Sequence, residues 1–88
     1  MATVTDNTAL HRYEYTVNGE TAFANYRLDG DTLVILYVES PESLRGTGAA
    51  GVLMQGIVDD ARARNLKITP ICGYAASWLK KHKVDIAP

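Results

Sequence analysis

The chain is poor in several residue types, and each shortage removes a class of protein. A single cysteine, Cys72, among 88 residues excludes an internal disulfide and any cysteine-rich metal site. His11 and His82 are far apart in sequence and show no metal-ligand spacing, so no metal is expected. No apolar run approaches the roughly 20 residues that a membrane-spanning helix needs, and no membrane partner is expected. A net charge of −1 lacks the basic field of a general nucleic-acid binder. The opening residues 1–7 carry neither a basic region nor an apolar one, so they do not read as a signal peptide, and a cytoplasmic location is the expectation.

What remains is an ordinary globular composition, 47% hydrophobic and 22% charged. Residues 1–88 read as one domain, with 1–8 expected as a frayed N-terminus. A domain this short buries only about 60 to 65% of the surface its unfolded chain exposes, so every apolar segment must share one core.

Residues Arg12 to Val17 alternate, Tyr13, Tyr15 and Val17 on one face, at the period of a half-buried strand. Asn18-Gly19 supplies a tight hairpin turn. A second strand over Glu20 to Leu28 ends at the turn Asp29-Gly30-Asp31. Leu33 to Val38 is continuously apolar, which predicts a central strand covered on both faces. A loop follows from Glu39-Ser40-Pro41 to Gly48. From Ala49 to Arg64 the positions Ala50, Leu53, Met54, Ile57, Val58 and Ala61 recur at helical spacing, with Asn65 as C-cap. Lys67 to Ile71 predicts a short strand reached by a crossover and parallel to the third. A last helix is expected over about Tyr74 to His82, with Ala75, Trp78, Leu79 and His82 on one stripe.

Chemistry concentrates in the loop that opens into the first helix. Gly46 and Gly48 allow a tight turn and close approach of a ligand, and the first helical N–H groups have no intrahelical partners. Together with the helix dipole they form an anion site suited to phosphate. Gly46-x-Gly48-x-x-Gly51 formally satisfies the dinucleotide fingerprint, but that pattern needs an acidic residue about 20 positions on. Ile68 to Cys72 offers none, and the antiparallel hairpins before the loop are foreign to that fold.

The second code is Arg45-x-x-Gly48-x-Ala50, preceded by Glu39-x-Pro41. It resembles the acetyl-CoA pyrophosphate motif of the GNAT superfamily of N-acetyltransferases. With Leu44, Gly46, Pro70, Cys72 and Tyr74 at matching spacings, the chain is similar to the short YjdJ-type branch of that superfamily over roughly Tyr13 to His82. Two positions depart from the branch. Tyr37-Val38-Glu39-Ser40 stands where it commonly has His-Thr-Glu-Val, and Lys83 replaces a proline near the tail.

The resemblance implies an α/β (α+β) fold of minimal GNAT type: an antiparallel meander, then β-loop-α-β-α with a splayed parallel strand pair admitting the pantetheine arm. It implies acetyl-CoA as cofactor, held by Val38, Leu44, Arg45, Gly46, Thr47, Gly48, Ala49, Ala50, Cys72 and Tyr74. An amine acceptor, small molecule or protein side chain, would be the second partner.

Each residue also has a plainer reading. Arg45 is a pyrophosphate ligand or a solvated loop charge, Leu44 a core plug, and Trp78 a core aromatic or a ligand platform. Pro70 marks an edge or bulge, or the mouth of the pantetheine slot. Glu39 is a general base or a strand-end carboxylate. Tyr74 protonates the departing thiolate or merely packs. Cys72 is a nucleophile for a ping-pong route, a wall of the slot, or a small buried hydrophobe. Three functions follow: acetyl transfer to an amine, a CoA-binding module with little turnover, and an interaction domain with no cofactor.

Overall fold

The computed structural model describes residues 4–84. One five-stranded sheet runs in the order β1-β2-β3-β4-β5. Strands β1 (Val4–Asn7), β2 (Arg12–Val17), β3 (Glu20–Asp29) and β4 (Thr32–Glu39) pair antiparallel in succession. Helix α1 (Ala49–Ala63) then carries the chain across to β5 (Lys67–Pro70), parallel to β4, and α2 (Gly73–Lys81) follows. This is the expected meander followed by β-loop-α-β-α.

Asn18 and Gly19, both at positive φ (50° and 79°), make the two-residue hairpin between β2 and β3, because that twist matches the flanking strands. Tyr13 and Tyr15 turn inward from β2, and Ala22, Ala24 and Tyr26 from β3. The small alanines leave room for α1, whose Leu53, Met54, Ile57, Val58 and Ala61 are wholly buried. Burying such a side chain is worth about 1.5 to 3 kcal/mol, and these recur at the helical period, so the stripe seats the helix. Ala75, Trp78 and Leu79 of α2 join the same core.

Several expectations need correction. Residues 4–8 are not frayed: Val4–Asn7 forms edge strand β1, paired from Val4↔Tyr15 to Asn7↔Arg12, and a 3-10 turn over Thr8–Leu10 follows. Residues 1–3 lie outside the described residues. Val4 packs against α1 so closely that a Cβ at Gly56 would stand 2.5 Å from Val4 Cβ. Both helices end one residue earlier than expected. Arg64 caps α1 and Asn65 follows in the left-handed region, with Asn65 N–H on Arg62 O (3.2 Å) and Leu66 N–H on Ala61 O (2.8 Å). α2 ends the same way, with His82 as cap and Lys83 left-handed.

The third predicted strand, β4, is covered on both faces only over Leu33, Val34 and Ile35; Leu36 and Tyr37 are 37% and 48% exposed. The cause is a bulge. Tyr26 faces Ile35 while its neighbour Asn25 faces Tyr37, so Leu36 is an extra residue on β4. Past it, Val38 packs against the core and Tyr37 and Glu39 project from the other face.

Candidate functional site

β4 and β5 pair only as far as Ile35↔Pro70. Pro70 has no N–H to extend the ladder, and Ile35 O instead receives the N–H of Ile71 (2.9 Å) and of Cys72 (3.2 Å) as the chain turns into α2. Beyond this fork β4 continues to Glu39 paired with β3 only. A cleft of about 440 Å³ opens there, walled by Tyr37 to Ser40 on one side, Tyr74 of α2 on another, and the loop and first turn of α1 on the third.

The loop is built from local constraints. Pro41 starts a single 3-10 turn, Glu42–Leu44, and Leu44 is buried, plugging the loop into the core as expected. Thr47 Oγ1 donates to Leu44 O and accepts the N–H of Ala49 at 3.3 Å. Gly46 and Gly48 stand at φ +81° and +83°, with open space where a Cβ would point. Their dihedrals, not crowding, are what require glycine.

This arrangement leaves four donors free. Among the described residues no hydrogen-bond acceptor is paired with the N–H of Gly46, Gly48, Ala50 or Gly51, and all four residues line the cleft. They stand at the positive end of α1. Arg45 lines it too, its Nε donating weakly to Ser40 O at 3.4 Å. Ser40 Oγ is a buried side-chain oxygen with no partner, an unmet hydrogen bond in the cleft wall. Free amides, a guanidinium and an orphaned hydroxyl fit a phosphorylated, amide-bearing ligand.

Of the residues expected at the cofactor, Val38, Leu44, Arg45, Gly46, Gly48, Ala50 and Tyr74 line the cleft; Thr47, Ala49 and Cys72 do not. Ala49 is buried in the core and Ala50 is only half-buried, the reverse of the helical stripe expected at that end. Thr47 acts on the loop from behind. Cys72 is the half-buried N-cap of α2, packed against the core at the fork. Glu39 lines the cleft, joined by Tyr37, Ser40 and Gly51, which sequence reasoning left out. Trp78 is 8% exposed and belongs to the core, with His82 stacked on its ring at 4.1 Å.

Two tyrosines in the cleft have raised pKa values. Burial raises Tyr74. For Tyr37 the main cause is the hydrogen bond its hydroxyl donates to Glu39 Oε1, followed by the charge of that carboxylate. Both hydroxyls therefore keep their protons at neutral pH.

A parallel strand pair that forks beside a glycine loop and helix N-terminus defines a small α/β domain with a cleft suited to an anionic ligand. The family model of the GCN5-related N-acetyl-transferase matches residues 12–87. The chain belongs to that family, whose members use acetyl-CoA in acetyl transfer. No curated protein matches it. No helix among the described residues is long and apolar enough to cross a membrane.

Proposed function

We propose that this chain is a cytoplasmic single-domain N-acetyltransferase of the small YjdJ-type branch, binding acetyl-CoA in the forked cleft and transferring acetyl to an amine. The observation that carries the reading is the set of unpartnered N–H groups of Gly46, Gly48, Ala50 and Gly51 lining one cleft. They would hold the pyrophosphate with Arg45, while the pantetheine arm runs between β4 and β5 past Val38 and Ser40.

The acceptor arrives as an ammonium, because an alkyl amine of pKa about 10.4 is almost wholly protonated at neutral pH. Glu39 takes the proton, the amine nitrogen attacks the thioester carbonyl carbon, and the C–S bond breaks. Tyr74, still protonated, donates to the departing thiolate and recovers its proton from the nitrogen, which sheds its surplus hydrogen as the neutral amide forms. Cys72, at the fork, offers a second route in which its sulfur takes the acetyl first and passes it to the amine. No helix among the described residues covers Tyr37 and Glu39, and this open side also suits a module that binds CoA and turns over little.

The test is incubation with isotope-labelled acetyl-CoA and a panel of primary amines, read by mass spectrometry. Labelled acetyl-amine supports transfer. A thermal shift with CoA but no labelled product leaves a binding module, and no response to CoA contradicts the reading altogether.

A further inference from the structure

Tyr37 is an exposed tyrosine set at the mouth of the cleft by the bulge in β4, and the strand period places Glu39, two residues on, on the same face. Its hydroxyl donates to Glu39 Oε1. Its ring lies 6.5 Å from that of Phe23, tilted by 59°, and Phe23 stands opposite Glu39 on β3. The Arg12 guanidinium covers Phe23 from 4.6 Å, and Glu14 holds Arg12 at 2.6 Å. A row of supported side chains thus crosses the sheet from β2 and ends on the carboxylate.

We infer that Tyr37 is the positioning residue of the acetyl transfer, holding Glu39 by Oε1 so that Oε2 alone faces the acceptor amine; this rests on the acetyltransferase reading above. A glutamate at the end of an exposed strand is otherwise free to rotate about its side-chain bonds, and a base acts only from within hydrogen-bond reach of its proton. Among the described residues no hydrogen bond engages Oε2, and the Tyr37 hydroxyl uses its proton on Oε1. Proton transfer then runs from the ammonium to Oε2, and Tyr37 neither gains nor loses a proton in the cycle. The raised pKa of Tyr37 keeps that donor intact through the neutral range.

Two measurements on the full chain test it. The first follows the Tyr37 hydroxyl by titrating protein labelled at tyrosine Cζ, read by NMR, with Tyr37→Phe assigning the signal. It should titrate above an ordinary tyrosine and shift down in Glu39→Gln; a signal unmoved by Glu39→Gln overturns the pairing. The second measures poly-L-lysine acetylation. Tyr37→Phe should lower kcat about tenfold with little change in acetyl-CoA affinity, and should add nothing to the loss in Glu39→Gln. A Tyr37→Phe variant at full kcat overturns the positioning role and leaves the acetyltransferase reading standing. Wild type that binds acetyl-CoA yet acetylates neither poly-L-lysine nor any amine of the panel overturns both.

Discussion

The Tyr13 hydroxyl donates to Asp60 Oδ2 across 2.6 Å, tying the second strand to the last turns of α1. Tyr26 donates to Asp6 Oδ1 at the same distance, and Arg64 Nη1 reaches both Asp6 (3.2 Å) and Asp60 (3.1 Å). The network fastens edge strand β1, sheet and helix together. Burial, then Asp60, holds the Tyr13 pKa well above the ordinary value, and burial with Asp6 pushes Tyr26 up to about 12. A group raised above its unfolded pKa of about 10 adds stability that is complete below that pH and lost as pH climbs through the folded value. Denaturant unfolding should therefore show stability falling from about pH 10 toward pH 12, and Tyr26→Phe should flatten part of that slope.

The Val4 side chain occupies the space over Gly56. Gly56→Ala should cost about 1 to 3 kcal/mol despite alanine's better helix propensity, since the added methyl must displace β1. Pairing it with Val4→Gly, which removes the clashing Cβ along with both methyls, should recover much of the loss in a double-mutant cycle. Equal losses in the single and double variants would argue that β1 is not docked there.

Gly51 provides the opposite case within the same helix. A Cβ there would meet Trp78 Nε1 at 3.6 Å, an ordinary contact, and its φ is not left-handed. Gly51→Ala should raise stability by about 0.5 to 1 kcal/mol and keep the amide that lines the cleft. A fall in the thermal midpoint would show that the first turn of α1 is packed differently.

Cys72 separates two routes of transfer. If its sulfur carries acetyl, brief incubation with acetyl-CoA should add one acetyl mass that maps to Cys72 and disappears in Cys72→Ala. If Cys72→Ala keeps full transferase activity and wild type carries no adduct, the thiol serves only to pack the fork.

Much of this architecture was legible because local rules and packing agree. Asn18-Gly19 named its hairpin, and Leu53, Met54, Ile57, Val58 and Ala61 named the buried face of α1. The glycine loop could be read because Gly46 and Gly48 stand just before a helical period. β1 was not legible, since Val4 is its one apolar residue and polar contacts from Asp6 and Asn7 help to hold it. The exposure of Leu36 and Tyr37 was hidden for another reason: a bulge is a matter of register between strands, and a continuous apolar run carries no trace of it. The pairing of Tyr37 with Glu39 did leave a signal, two residues apart on a strand. Ser40 in the cleft wall left none, because its lack of a partner is a property of the folded surroundings.

On the acetyltransferase reading, the Arg45 to Gly51 segment holds a pyrophosphate through its backbone. Calorimetric titration of acetyl-CoA into wild type and Gly48→Val measures that contact. At φ +83° a β-branched residue is strained by about 1 to 2 kcal/mol, which the loop relieves by moving its amides out of line. Wild type should bind measurably, and the variant, its unfolding still cooperative, should bind at least about tenfold more weakly. An unchanged dissociation constant in folded Gly48→Val would contradict it.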